Sequence, residues 1–382
     1  LHKIYTDFYY KNPYKFIINF LYKIFKSSFL MRLRGRRDSE LSDNYVKFSL
    51  FFGIYYGLRR WFGFKCSDAS KIKIWASKKI SKQLKEDDLI DTAGIYAYNG
   101  AALETFQRGK NYDSLCILEQ TIAPKAKEMI LINKEKESFP NWITNDSLTD
   151  ENEIVDREFK EWELADKIIC GSEFVKNSIQ EIGGPFSKCE VVPYGYDSIV
   201  FTTKISNIRP HSPLRILTVG EVGLRKGTPY VYRAALELKS KAIFQMVGPI
   251  NVPKNIKEKL CKYVKLIGSV SRNQVYEYYN WADVFLLPSI CEGSATVVYE
   301  AMSFGLPIIC TPNTGSIVKD CVEGFIIEPG DHRGIIEKVL RLNTDTDLYK
   351  RMSANSLKRY ESEGTLNAYS NRLIKSLKSV TD

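Results

Sequence analysis

The chain has 382 residues, 44% of them hydrophobic and 26% charged, so it reads as globular and long enough for two ordinary domains. No charge-free apolar run reaches about 18 residues, which excludes a predicted transmembrane helix. The formal net charge of +10 comes with no recognisable nucleic-acid module, so anionic lipid surfaces and phosphorylated substrates are the expected partners rather than nucleic acid.

Residues 1–64 are aromatic and basic. The chain begins at Leu1 without a methionine and shows no signal peptide, so it reads as a processed or trimmed piece. Tyr14–Arg37 and Phe48–Lys65 interleave apolar side chains with lysine and arginine. Both suit helices lying at a membrane interface, and both also suit amphipathic helices packed on a sheet. Their aromatic density favours the interface.

A helical pattern follows over Lys71–Leu89, then a strand at Thr92–Tyr98 with Asn99-Gly100 as its turn. Ser114–Glu119 is the next expected strand. Lys125–Leu164 is largely helical with a break at Phe139-Pro140, and Lys167–Cys170 and Cys189–Val192 are strands around the helix opened by Ser172-Glu173. Alternating strands and helices imply right-handed crossovers and a parallel sheet. No strand with a glycine-rich loop is recognisable at the start of the first domain. Residues 198–213, polar with two prolines, read as a linker. Beyond it come strands at Leu214–Val219, Ile243–Val247 and Val264–Ile267, a helix at Gln274–Trp281, a strand at Pro307–Cys310, a short helix capped by Ser316, a strand at Gly324–Ile327 and helical sequence over Asp345–Asp382. Eight scattered cysteines without a C-x-x-C pair read as small buried hydrophobes in a reducing compartment, and three histidines are too few for a histidine-rich metal centre.

The stretch 283–305, DVFLLPSICEGSATVVYEAMSFG, organises the second half. Asp283–Pro288 suits a buried parallel strand, and Glu292-Gly293-Ser294 breaks the pattern. Ala295–Phe304 suits a helix, with Gly305 placed to cap it. Such a loop sets helix N–H groups at the carboxyl edge of a sheet, where phosphates are held. Gly293, lacking a side chain, would let a ligand approach the backbone. Two carboxylates, Glu292 and Glu300, make sense beside phosphate if the ligand also carries hydroxyls. Arg225 and Lys226, between Gly220 and Gly227, suit a diphosphate.

Glu292 and Glu300 with seven residues between, then Ala301-Met302, Gly305-Leu306-Pro307 and PIICTPNTGSIVKDCVEGFIIEPGD, resemble the E-x7-E signature of the retaining family 4 glycosyltransferases. The likeness covers about residues 165–335. It implies the GT-B fold, two Rossmann-like doubly wound parallel-sheet domains facing a cleft: 1–208 binding the acceptor, 209–365 binding the nucleotide sugar, and 366–382 a helix crossing back. It implies a hexosyltransferase with Glu300 on the ribose, Glu292 at the donor sugar, and Arg225 and Lys226 on the diphosphate. Backbone groups of Gly293, Ser294 and Ala295, with Gly220, Thr314 and Gly315, would line the donor, and Gly268, Ser269 and Val270 would lie by the base. The acceptor-side candidates are Asn99, Glu119, Gln120 and Ser172, whose alternative is helix capping for Asn99 and Ser172.

Two departures stand out. Relatives commonly carry arginine directly after the first glycine, where this chain has Glu221, and a cleft histidine, where it has Glu119-Gln120. A catalytically degenerate partner subunit and a sugar-nucleotide epimerase therefore stay open. The family implies no resident cofactor or metal, and Asp345-Thr346-Asp347 reads as a helix cap. The donor would be a UDP or GDP sugar and the acceptor a glycan or lipid-linked intermediate. The expected location is the cytoplasmic face of the cell membrane, with peripheral attachment through residues 1–64.

Overall fold

The computed structural model describes residues 4–6, 18–20, 23, 41–48, 55, 66–90, 92–144, 151–197 and 210–381. Most of the aromatic and basic segment 1–64, residues 145–150 and linker residues 198–209 lie outside them. In chain order the elements are β1 (Ile4–Thr6), β2 (Val46–Phe48), α1 (Cys66–Ser81), α2 (Asp87–Ile90), β3 (Gly94–Tyr98), α3 (Leu103–Lys110), β4 (Leu115–Gln120), α4 (Lys125–Ser138), α5 (Asn152–Leu164), β5 (Lys167–Cys170), α6 (Glu173–Glu181) and β6 (Cys189–Val191). Then follow β7 (Leu214–Val219), α7 (Thr228–Glu237), β8 (Ala242–Val247), α8 (Lys254–Leu260), β9 (Val264–Gly268), α9 (Arg272–Trp281), β10 (Val284–Leu287), α10 (Thr296–Ser303), β11 (Ile308–Cys310), β12 (Gly324–Ile326), α11 (His332–Thr344), α12 (Thr346–Arg359) and α13 (Leu366–Thr381). Among the described residues no helix is long and apolar enough to cross a membrane.

Contacts divide the chain into two compact units, residues 1–118 with 146–166, and residues 119–145 with 167–382. In the first, β1 and β2 form a parallel pair, neither strand legible in the sequence, and β3 neighbours β4. Glu161 of α5 accepts backbone N–H bonds from Gly100, Ala102 and Leu103 at 2.7–3.1 Å, supplying the first turn of α3 with acceptors that no local side chain provides. Asn99 does not cap that helix; its amide donates to Glu158 at 3.1 Å.

In the second unit the order continues from the end of β4 to β5 and β6, the last two parallel. Its larger sheet is fully parallel, in the order β12-β11-β10-β7-β8-β9. Leu214, Ile216, Val284 and Leu286 face one apolar cluster, and Leu217, Val219, Phe285 and Leu287 face the other. Both sheet faces are therefore covered, which is why these strands read as unbroken apolar runs. The chain runs outward in opposite directions from β7, so a crevice opens at the carboxyl ends of β7 and β10.

Several expected boundaries shift for local reasons. Asp283 falls outside β10, because its carboxylate accepts the backbone N–H of Arg215 at 2.9 Å and of His211 at 3.2 Å. No helix follows Ser316; a short 3-10 turn at Pro312–Thr314 ends in Gly315 at φ 65°, and Ser316 Oγ accepts the N–H of Val318 and pairs with Cys310 Sγ at 3.6 Å. Gly305, at φ 65°, ends α10 as expected. Helix α11 was not anticipated; Asp331 caps it by accepting from Gly334 at 2.9 Å. Asp345 likewise caps α12 through the N–H of Leu348.

Helix α13 fastens to the β5–β6 region. Arg372 donates to the Pro193 and Tyr194 carbonyls at 2.8 and 3.2 Å, Ser376 donates to Glu190 at 2.7 Å, and the Tyr369 ring meets Tyr194 edge-on.

Candidate active site

Everything at the crevice lies within the second unit. After β7 the chain turns at Gly220 and passes Arg225-Lys226 in a single 3-10 turn before α7. Gly227, at φ 68°, permits the next reversal, and a Cβ there would stand 2.0 Å from the Pro288 carbonyl oxygen. A Cβ on Gly220 would stand 2.9 Å from Lys226 Cε, so the lysine stem runs across that glycine. Gly220 thus makes room for Lys226, not for a ligand directly.

Glu292 gathers both cations on one oxygen. Lys226 Nζ is 2.7 Å and Arg225 Nη1 2.9 Å from Glu292 Oε1, and Arg225 also reaches the Cys291 carbonyl at 3.4 Å. Lys226 and Glu292 are each 8% exposed. Burial lowers the Lys226 pKa, and the Glu292 carboxylate opposes that shift. With all three groups ionised, the cluster carries one net positive charge. An arriving diphosphate would find cations held by a single carboxylate in a site largely shielded from water.

The loop of 293–295 is used differently from expectation. A Cβ on Gly293 would lie 1.9 Å from the Thr121 carbonyl oxygen, so its missing side chain admits another backbone strand rather than a ligand. Ile122 and Gly293 form an antiparallel bridge there, and Ala123 donates to the Glu292 carbonyl at 3.2 Å. The Gly293 carbonyl accepts from Ser172 Oγ at 2.5 Å, and Ser172 also caps α6 through the N–H of Val175. Gly315 passes so close that its Cβ would meet the Gly293 oxygen at 1.9 Å. Ala295 does not offer a free N–H, because it donates to the Thr314 carbonyl at 3.2 Å. Thr314 itself is fully buried, its hydroxyl bonded to the Leu287 carbonyl. Ser294 shares its hydroxyl with Tyr299 at 2.9 Å. The first-turn N–H groups of this helix that lack an intrahelical partner include those of Thr296 and Val297, directly after the residues the sequence indicated.

Glu300 lines a cavity of about 680 Å³ together with Tyr196, Val219, Val270, Arg272, Thr296 and Val297. Its Oε2 accepts from the Tyr279 hydroxyl at 2.8 Å. Burial raises its pKa, while the Tyr279 bond and the Arg272 charge pull it back down. Val270 reaches this cavity. Gly268, at φ 82°, ends β9 and takes the N–H of Gly248, and Ser269 is exposed; neither lines the cavity. Sequence reading missed Tyr196, Arg272 and Tyr279. No motif marks them, since an aromatic in a helix usually signals core.

On the acceptor-side candidates, Glu119 is buried and accepts from Tyr194 at 2.6 Å, and Gln120 donates to the Ile122 carbonyl at 3.1 Å. Gln120 thereby braces the 121–123 segment whose Ile122 bridges to Gly293. Asn99 belongs to the other unit.

Residues 201–359 match the family model for glycosyl transferases group 1. Among curated proteins the chain is 27% identical over 188 residues to the amylovoran biosynthesis glycosyltransferase AmsK of Erwinia amylovora, covering 45% of this chain and 46% of that one. It is 29% identical over 212 residues to an Escherichia coli galactosyltransferase acting on α-D-GlcNAc-diphosphoundecaprenol, covering 50% and 52%. The chain spans about half the length of these curated relatives. Among solved structures, Anabaena HepE in complex with UDP and glucose aligns with a TM-score of 0.60 at 14% identity, covering 80% of this chain and 81% of that one. Sucrose-phosphate synthase of Thermosynechococcus elongatus aligns with a TM-score of 0.60 at 16% identity, covering 83% and 79%. With parallel sheets in two Rossmann-like domains, the chain has the GT-B fold, and residues 201–359 match the model for glycosyl transferases group 1.

Proposed function

We propose that the chain is a retaining family 4 hexosyltransferase that moves a sugar from a nucleoside diphosphate, UDP or GDP, to a glycan or lipid-linked acceptor. The observation that carries this is the pairing of Lys226 and Arg225 on Glu292 at one end of a crevice whose cavity holds Glu300. The cations suit a departing diphosphate and Glu300 suits ribose hydroxyls. Glu292 stands where a hydroxyl of the donor sugar can replace one of its cation contacts.

In the proposed reaction the bond from the sugar C1 to the diphosphate oxygen breaks and the bond to the acceptor oxygen forms on the same face. The acceptor proton passes to the departing phosphate. The protein's part is to hold geometry and stabilise the leaving charge, and no resident metal or cofactor is invoked. The relatives named for amylovoran biosynthesis and for a diphosphoundecaprenol substrate support a similar acceptor class, and the basic segment 1–64 supports work at the inner membrane face.

The test is transfer of radiolabelled sugar from a panel of UDP and GDP sugars. Glu292→Ala and Glu300→Ala are expected to reduce transfer at least 100-fold, roughly the loss seen when one transition-state contact is removed. Unchanged rates in both variants would refute the assignment.

A further inference from the structure

Tyr279, near the end of α9, is fully buried. Its ring stacks on Phe304 at 5.3 Å and tilts against Phe285 at 5.9 Å, so packing on two sides fixes its plane. A phenol in such an apolar slot needs a partner for its O–H. That partner is Glu300 Oε2 at 2.8 Å, with the Val297 carbonyl at a weaker 3.4 Å. Neighbouring hydroxyls do not take its place: those of Tyr196 and Tyr276 pair with each other at 3.0 Å, and the Arg272 guanidinium stands over the Tyr196 ring.

We propose that Tyr279 is a positioning residue for nucleotide recognition: its hydroxyl, fixed by ring packing, holds Oε2 of Glu300 and leaves Oε1 to accept from ribose hydroxyls. The proposal rests on the reading of this cavity as the nucleotide site. A long carboxylate side chain loses rotamer freedom when it binds, and a bond that has already selected the rotamer removes part of that cost. The same O–H favours the ionised carboxylate, which is the form that accepts two hydroxyl protons. Among the described residues, the charged and titratable groups around Glu300 are Tyr279, Arg272 and Tyr196, with Asp197 lining the same cavity and Tyr276 next to Tyr279 and Tyr196.

Calorimetry with UDP, GDP and ADP identifies the nucleotide that binds the full chain. For that nucleotide, Tyr279→Phe is expected to weaken binding roughly tenfold, the scale of one hydrogen bond to a charged group. The 2′,3′-dideoxy analogue should bind wild type and variant about equally, because the contacts being prepared are then absent. In the Glu300→Gln background, Tyr279→Phe should add nothing, which a packing defect would not reproduce. As pH is lowered, the variant should lose affinity at a higher pH than the wild type, since its carboxylate lacks a stabilising donor. In transfer assays the donor KM should rise more than kcat falls. Equal losses for the ribo and 2′,3′-dideoxy ligands, or losses that add in the double variant, would overturn the positioning role. If the wild type binds and Glu300→Gln abolishes binding while Tyr279→Phe is silent, only this role falls. If no nucleoside diphosphate binds the wild type, the nucleotide reading falls with it.

Discussion

Gly293 shows how one residue can be placed correctly in a motif and still be misread. Its lack of a side chain looks like room for a ligand, yet the room is taken by the Thr121 carbonyl. Gly293→Ala should therefore cost stability even without ligand, about 1–3 kcal/mol by analogy with other overpacked sites. A lower Tm for the ligand-free variant checks this; an unchanged Tm with lost nucleotide binding would restore the ligand reading. Glu135 is a second residue whose chemistry is internal. It is buried and accepts the Tyr230 hydroxyl on both oxygens, at 3.0 and 2.9 Å. Burial raises its pKa and the Tyr230 bond only partly offsets that. A carboxyl with a raised folded pKa stabilises the fold most at and below the ordinary carboxylate range, and that increment is lost as pH climbs through the folded value. Glu135→Gln keeps an acceptor and cannot ionise. Its Tm should gain on the wild type as pH rises above the ordinary carboxylate range of about 4; parallel Tm profiles would show that the Glu135 carboxyl is not the source of any such pH dependence.

At the scale of elements, the parallel strands of the larger sheet were legible because burial on both faces leaves long apolar runs. The E-x7-E stretch was legible because a strand, a glycine loop and a capped helix follow one another without interruption. Three things were not legible. Helix α11 was hidden because His332–Thr344 follows a proline–glycine turn and mixes charges into its apolar period. Strands β1 and β2 are three residues each, too short to show an alternation. The open N–H groups of α10 were displaced from Ala295 to Thr296 and Val297 by a carbonyl from Thr314, distant in sequence. Long-range backbone pairing of this kind leaves no local periodicity. The attachment of α13, expected from the resemblance as a helix crossing back, likewise rests on contacts that no local pattern shows. Arg372 donates to the backbone carbonyls of Pro193 and Tyr194, and only the fold brings them together. Arg372→Ala should destabilise the protein by about 1.5–3 kcal/mol, the scale of a charged hydrogen-bond donor. Urea unfolding that gives the wild-type midpoint would refute that attachment.

Over the whole molecule, the dominant unexplained quantity is charge. A formal +10 exceeds what a small cationic cluster at the crevice accounts for, and much of the N-terminal share lies in Tyr14–Arg37, where Lys15, Lys23, Lys26, Arg32, Arg34, Arg36 and Arg37 alternate with aromatic and aliphatic residues. Each basic side chain near an anionic leaflet contributes about 1 kcal/mol, and that contribution decays within a Debye length of about 8 Å at physiological salt. Seven such residues with apolar neighbours are enough to hold a protein at a surface reversibly, and an acceptor carried on a lipid would then be met in two dimensions. The expected result is co-flotation of the full chain with vesicles containing anionic lipid, weakened when the salt is raised to about 1 M, where the Debye length falls to about 3 Å. Replacing the lysines and arginines of 14–37 by glutamine should abolish flotation while leaving nucleoside diphosphate binding intact, because the cations at the crevice are Arg225 and Lys226. Flotation that ignores both salt and these replacements would make the attachment apolar, and no flotation at low salt would remove the membrane from the account.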